Sequence, residues 1–204
     1  MVFHGLTVTE SARSRMHPGL RPANTTGIDG IITKMNTSSP RAATRGFDSA
    51  HFRQALSQFA TGVTVITTRL DDGTYRGLTA SSFNSVSLEP PLVLWSLSNA
   101  ANSLPIFSGN SHYVINVLSA GQEELARRFS RRAEADPFDA VEYTLSRTGH
   151  PILKGAAAWF ECHNRSRYPE GDHVIFVGEV EECAVDVQPV LLFHGGRFGS
   201  TGPR

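Results

Sequence analysis

The stretch GLTASSFNSVSLEPPLVLW, residues 77–95, determines how the rest of the chain is interpreted. Its two ends have the apolar character of β-strands, while its middle is rich in small polar side chains and is followed by two prolines. Such a segment adds little to a core, but it offers many hydrogen-bonding groups. Two explanations are open: a solvated polar turn, or a loop that binds a polar ligand between two strands.

Predicted strands outnumber predicted helices on both sides of this stretch. Residues 63–68 and 75–80 predict a hairpin around the turn DDG, residues 71–73. Further strands are predicted at residues 92–97, 112–118, 156–163, 173–185 and 190–195. Helices are predicted from Asp48 or Ser49 through Phe59, at residues 102–108 and at residues 122–132. Because strands and helices do not alternate regularly, we expect a mainly β (α+β) fold, an antiparallel barrel or sandwich with a few covering helices.

Composition excludes several functional classes. The 204 residues are 40% hydrophobic and 19% charged, as in ordinary globular domains. The formal net charge of zero gives no electrostatic reason to expect nucleic acid or an anionic membrane as a partner. No apolar run approaches the ~20 residues of a membrane span. We expect a cytoplasmic protein in which Cys162 and Cys183 are free thiols.

The first 45 residues differ from the rest in charge and patterning. They carry six basic and two acidic residues, a net charge of +4, and they lack a sustained apolar period. We expect residues 1–45 to be a disordered basic tail and residues 46–204 to be the folded domain. Met35 opens a segment just before the first predicted helix, which suggests the hypothesis that Met35 is the natural start.

Motifs for several common chemistries are missing. The sequence has no GxGxxG, GxxxxGK[ST], HExxH or GxSxG pattern, which argues against a dinucleotide-binding Rossmann fold and an α/β-hydrolase. A zinc site would need Cys162, His163, His173 and Cys183, whose spacing fits no standard ligand pattern, so no metal is expected. A flavin suits the hydroxyl-rich loop, because its ring edge alternates donors and acceptors.

Four sequence blocks, in this order, carry a family resemblance. They are FRQALSQFATGVTVITT, GLTASSFNSVSLEPPLVLWSL, NSLPIFSGNSHYVINVL and GDHVIFVGEVEE. From about Phe47 to Gly199 the chain resembles the short-chain flavin reductases, the reductase components of two-component flavin-dependent monooxygenases. The resemblance implies an antiparallel split β-barrel that forms a homodimer, with a flavin bound non-covalently near the dimer interface.

The resemblance also implies an activity. Such enzymes transfer a hydride from NADH or NADPH to FAD or FMN and release the reduced flavin to a partner monooxygenase. FAD is slightly favoured here, and NADH is favoured because no basic residue is convincingly placed for a 2′-phosphate. The alternatives are a flavin-binding sensor or carrier without turnover and a split-barrel oxidase that keeps its flavin.

Site residues follow from the matched motifs. The resemblance implies contact between the loop and the flavin ring and ribityl chain through Thr79, Ala80, Ser81, Ser82, Ser85 and Val86. It implies that Ser96, Asn102 and Ser103 reach the flavin phosphate, although Asn102 or Ser103 is also explained as a helix cap. Phe129 corresponds to a residue near the distal end of the flavin, or it faces the core.

The GDH motif corresponds to the nicotinamide side of the family's site. There Gly171 permits a close approach, Asp172 orients its neighbours, and His173 contacts the nicotinamide or flavin as the catalytic candidate. We expect Arg197 and Phe198 to border the same cleft, either within one subunit or across the dimer interface.

The sequence RRFSRR has two explanations. Its arginines form either a solvated, salt-bridged helix face or contacts to flavin or dinucleotide phosphates. The residues concerned are Arg127, Arg128, Arg131 and Arg132.

Overall fold

The computed structural model describes residues 46–131 and 136–202. The predicted tail, residues 1–45, and Arg132 of the predicted helix lie outside the described residues. Within the described ranges, no helix combines the length and the apolar character needed to span a bilayer.

Helices are few and short in the described part of the chain: α1 is Ser49–Leu56, α2 is Leu104–Gly109 and α3 is Glu123–Ser130. The strands are β1 Thr61–Gly62, β2 Thr64–Arg69, β3 Tyr75–Ala80, β4 Asn84–Leu88, β5 Pro91–Ser98, β6 His112–Val117, β7 Tyr143–Leu145, β8 Pro151–Leu153, β9 Ala158–Glu170, β10 His173–Val185, β11 Leu191–His194 and β12 Arg197–Ser200.

Antiparallel pairing organises these strands into three sheets. The largest has seven strands in the order β3-β2-β6-β9-β10-β5-β4, and smaller sheets have the orders β1-β11-β12 and β7-β8. Each named strand pair is antiparallel. The expected mainly β class is therefore confirmed.

The connection between β3 and β4 shows that the large sheet is strongly curled. These strands lie at opposite edges of the sheet, yet only residues 81–83 separate them along the chain. Six strand spacings would put the edges about 29 Å apart in a flat sheet. The link from Ala80 to Asn84 spans at most about 14 Å. The sheet must therefore curl until its edges approach, and the hydroxyl-rich stretch crosses the gap between them.

Aromatic residues fill the interior of the curled sheet. On β5, Val93, Trp95 and Leu97 are buried while the residues between them are only half-buried, so the continuous apolar run buries one face. The Trp95 ring stacks on Phe176 with centroids 4.5 Å apart. A second cluster, beneath α3, includes Phe129 and residues of β2 and β11.

Strand β2 is buried along almost its whole length although three of its six residues are threonines and one is an arginine. The hydroxyls of Thr64, Thr67 and Thr68 each donate a hydrogen bond to a backbone carbonyl, on β3, β8 and β6 respectively. Each buried hydroxyl thus has a partner, and side chains connect the strand to three neighbours, two of which, β3 and β6, also pair with its backbone.

Several elements differ from the prediction. Strand β4 occupies part of the expected loop, and a register shift at Val86 marks a bulge in its pairing with β5. The β9–β10 hairpin extends to Glu170, beyond the predicted end at residue 163. Strands β7, β8 and β12 were not predicted. The predicted helix 102–108 begins two residues later, at Leu104.

Candidate functional site

A cleft of about 850 Å³ lies between β3, the end of β5, α2 and the C-terminal end of α3. This volume is within the range of small-molecule binding sites. Its lining mixes hydroxyl, amide, apolar and arginine side chains. The cleft brings together four of the cofactor-binding residues predicted from the sequence: Thr79, Asn102, Ser103 and Phe129.

Close packing of α3 on β3 builds one wall of the cleft. The Thr79 hydroxyl donates to the Ala126 carbonyl over 2.7 Å. The Phe129 ring lies so close to Gly77 that a Cβ there would be 2.7 Å from a ring carbon. Glycine at 77 therefore allows the helix to approach the strand. Phe129 is buried and also lines the cleft, so both interpretations of this residue hold.

The loop between β3 and β4 is fastened to β5 by Ser82 and Ser96. The Ser82 hydroxyl accepts from the Ser96 amide over 3.0 Å and donates to the Ser96 carbonyl over 3.2 Å. Ala80 is buried, whereas Ser81 is exposed. These four residues do not line the cleft, so their expected contact with a flavin stays a prediction.

Ser85 and Val86 lie on the edge strand β4, and both are exposed. The Ser85 amide donates to the Asn84 side chain over 2.9 Å. Neither residue lines the cleft, so their expected contacts with a flavin stay predictions.

The GDH motif forms the tip of the β9–β10 hairpin beside the end of β5. Gly171 has φ +61°, a backbone conformation that favours glycine. The Asn99 amide donates to the Asp172 carbonyl over 2.9 Å, and its side chain donates to the Gly171 carbonyl over 3.3 Å. His173 is paired in register with Ser98, which lines the cleft. The motif is therefore anchored next to the cleft.

Asp172 and His173 form a hydrogen-bonded pair. Their Oδ1 and Nδ1 atoms are 2.7 Å apart, and the hydrogen bond from His173 holds the pKa of Asp172 below its usual value. Because an ionised carboxylate only accepts, Nδ1 of His173 carries the proton.

Arg197 and Phe198 lie on β12 in the three-stranded sheet. The Phe198 ring contacts Phe193, with centroids 5.3 Å apart, and the Arg127 guanidinium lies 4.9 Å from its centroid. Neither predicted residue lines the cleft within one chain, so a role across a dimer stays a prediction.

Two cleft residues, Arg76 and Ser98, were not singled out from the sequence. A signal for Ser98 existed: Ser96 and Ser98 alternate within an apolar strand, which places polar side chains on one face. An arginine in a strand sequence, in contrast, gives the same pattern whether its side chain is solvated or lines a cleft. For Arg76 the sequence held no usable signal.

Comparisons with known proteins agree on one family. The flavin reductase like domain matches residues 56–202. FMN reductase (NADH) SmoA of Agrobacterium fabrum is 44% identical over 154 residues, covering 76% of this chain and 87% of that protein.

Two solved structures are similar in both fold and sequence. The NADH:FAD oxidoreductase SgcE6 of Streptomyces globisporus, in complex with NAD and FAD fragments, is 39% identical with a TM-score of 0.72, over 76% of this chain and 94% of that one. BorF, the flavin reductase component of a bacterial two-component tryptophan halogenase, is 36% identical with a TM-score of 0.72, over 77% and 100%.

Proposed function

Because the chain belongs to the flavin reductase like domain family, we propose that it is an NAD(P)H:flavin oxidoreductase that reduces FAD or FMN. NADH is the favoured donor, since SmoA and SgcE6 are both named for NADH. The reduced flavin leaves to serve a partner monooxygenase. This part of the proposal is supported by the similarity to BorF, which is named as the reductase component of a two-component tryptophan halogenase, and to HsaB, named as the reductase subunit of a flavin-dependent monooxygenase.

The placement of the GDH tip beside the cleft is the observation that carries this proposal. The cleft supplies polar groups for a flavin at Thr79, Asn102 and Ser103, together with the apolar ring of Phe129. Its volume and mixed lining fit a flavin. Within the described residues, Ser98 links this cleft to His173 through adjacent strands.

The chain's own residues act mainly by binding and orientation. A bound flavin would supply the hydride-accepting chemistry, so the protein needs no strong acid or base. Asp172 holds the His173 ring by its Nδ1 atom, and Asn99 fixes the backbone beneath it. Phe129 gives the wall of the cleft a buried apolar surface. Such positioning favours reaction by proximity.

The activity test measures oxidation of NADH and NADPH by the loss of nicotinamide absorbance, with FAD, FMN or no flavin added. We expect turnover that depends on added flavin, fastest with NADH. Protein freed of flavin by desalting should regain its full rate when flavin is returned, as expected of a diffusible substrate. Bound yellow flavin without nicotinamide oxidation would instead identify a binding protein.

The His173→Ala variant tests the nicotinamide side of the site. We expect a raised KM for NADH with nearly unchanged FMN affinity, because His173 belongs to the hairpin tip rather than to the cleft wall. The matched control is His163→Ala, an exposed histidine on β9 away from the tip. Equal NADH kinetics in both variants would remove His173 from the site.

A homodimer is part of the proposal, and α1 supports it. The helix has no buried residue, and its apolar side chains are about half exposed at Phe52 and Leu56. Phe47 and Phe59 extend the same apolar surface. Burying it against a second copy removes apolar area from water. We expect Leu56→Ser to shift the protein toward monomer in sedimentation, while Leu145→Ser, also half exposed, should not.

We also place the reaction in the cytoplasm. Cys162 and Cys183 are free thiols, which is the usual state in a reducing compartment. Fractionation of the native host, with an enzyme of known location as a marker, tests this placement.

A further inference from the structure

Two arginines reach the cleft from different elements, Arg76 from β3 and Arg131 from the residue that follows α3. We propose that Arg76 and Arg131 form a phosphate-binding pair that selects phosphorylated substrates. This inference rests on the proposed function, because flavin nucleotides and nicotinamide dinucleotides both carry phosphate. Nothing in the sequence motifs or the comparisons assigns Arg76 a role.

Arginines outside the cleft differ in whether they pair with a carboxylate. Arg127, Arg147 and Arg165 are ion-paired to glutamates at 2.6, 2.6 and 3.3 Å. Among the described residues, neither Arg76 nor Arg131 has an ion pair to a carboxylate. Within the described residues, the two cleft arginines are therefore not paired with a carboxylate and can meet a ligand anion.

The two nearby carboxylates accept hydrogen bonds from groups other than these arginines. Asp136 also lines the cleft, and its Oδ1 accepts from the Phe138 amide over 2.9 Å. Asp72 lies close enough to interact electrostatically with Arg76, but its Oδ1 accepts from the amide and hydroxyl of Thr74. The guanidinium of Arg76 donates to the Tyr75 carbonyl over 2.8 Å, through one of its nitrogens. A guanidinium has five N–H donors, so further donors remain.

Hydroxyl groups in this part of the cleft cannot replace the arginines. The single hydrogen of Thr79 is donated to the Ala126 carbonyl, and that of Ser130 to the Arg127 carbonyl. Both hydroxyls can then only accept, whereas a phosphate needs donors. Arginine supplies them in a planar fork that matches phosphate oxygens. The cleft therefore has acceptors on its α3 side and cationic donors at Arg76 and Arg131.

The test compares ligands that differ only in phosphate. FMN and riboflavin are titrated by flavin fluorescence into the wild-type protein, Arg76→Gln, Arg131→Gln and the double variant. Arg147→Gln is the matched control, since it removes an equal charge from an exposed residue outside the cleft. NADH and NADPH are titrated separately by nicotinamide fluorescence. These binding measurements do not depend on turnover.

We expect each cleft variant to bind FMN about tenfold more weakly, which corresponds to about 1.4 kcal/mol, with riboflavin binding unchanged. Added salt should weaken FMN binding more in the wild type than in the double variant. If FMN binding is unchanged but NADH or NADPH binding weakens by a similar factor, the pair binds the dinucleotide phosphate. Either result supports a phosphate-binding pair.

Three outcomes would overturn the inference. One is equal weakening of FMN and riboflavin, which would mean that the arginines shape the cleft. Another is an effect no larger than that of Arg147→Gln on every ligand. The third is wild-type protein that binds none of these phosphorylated ligands. Failure of the proposed function looks different: flavin and NADH bind, with the FMN preference intact, but no nicotinamide is oxidised.

Discussion

His150 makes the stability of this domain depend on pH in a way that can be calculated. Its side chain is buried, and Nδ1 accepts a hydrogen bond from the Arg69 amide over 2.9 Å. Burial, followed by the nearby His112, lowers the pKa of His150 from its ordinary 6.5 to about 4, while Glu161 acts in the opposite direction. The folded protein therefore keeps this ring neutral where the unfolded chain would protonate it.

The sign and size of the effect follow from that difference. As pH falls below 6.5 the unfolded state binds the proton first, so the free energy of unfolding decreases until pH reaches the folded pKa of about 4. The full interval corresponds to about 3 kcal/mol, and about 2 kcal/mol of this is lost between about pH 7 and pH 5. This loss is a large fraction of the free energy of unfolding of a typical domain, which is roughly 5–15 kcal/mol.

The assay is urea unfolding at fixed protein concentration and ionic strength across this pH interval. His150→Asn keeps a carbonyl acceptor for the Arg69 amide but does not titrate, so its free energy of unfolding should change less with pH. The readout is the slope against pH rather than the absolute stability. His163→Asn, at an exposed histidine, should retain the wild-type slope. Identical slopes for wild type and His150→Asn would refute the reasoning.

Three further substitutions test the packing of the domain and cleft. Gly178→Ala places a Cβ against the hydroxyl of the buried tyrosine on β6 and should cost about 1–3 kcal/mol in urea unfolding; Gly109→Ala, with open space around it, should not. Gly77→Ala should displace the Phe129 ring and weaken FMN binding in a fluorescence titration, and unchanged affinity would contradict this. Burial raises the pKa of Glu161, but its hydrogen bonds outweigh this and lower it. Glu161→Gln should therefore lower the free energy of unfolding by about 1–3 kcal/mol at neutral pH. The difference from wild type should decrease on acidification below about pH 4.5, which urea unfolding at neutral and at acidic pH would test.

Elements with a clear apolar period could be predicted from the sequence. The hairpin β2–β3 and strands β5 and β6 lie close to their predicted ranges. The helix α1 begins where its cap was predicted, because the Asp48 side chain accepts from the His51 amide. In each case the local sequence already contains the signal that packing or capping then uses.

Features set by distant neighbours could not be predicted in the same way. Strand β4 has only two alternating apolar residues, Val86 and Leu88, which is too short a pattern to predict a strand, and its pairing with β5 makes it one. The outer half of β9 is largely polar and exposed, so no apolar period marks it as a strand. Ser82 meets Ser96 because the chain before β4 continues its pairing with β5, and Arg76 joins the cleft because α3 packs on β3. Local sequence does not encode such juxtapositions.

The buried threonines of β2 favour one alignment of this strand with its neighbours. Moving β2 by one residue against its neighbours would separate the hydroxyls of Thr64, Thr67 and Thr68 from the carbonyls that now accept their protons. Each buried hydroxyl left without a hydrogen-bond partner lowers the stability of the fold by about 1–3 kcal/mol. Three together amount to about 3–9 kcal/mol, comparable with the whole stability of a domain. Valines of similar shape have no hydroxyl, so the same slip would leave none of them without a hydrogen-bond partner. The threonines thus favour the native alignment of the sheet, because shifted alignments lose hydrogen bonds that a purely apolar strand would not have.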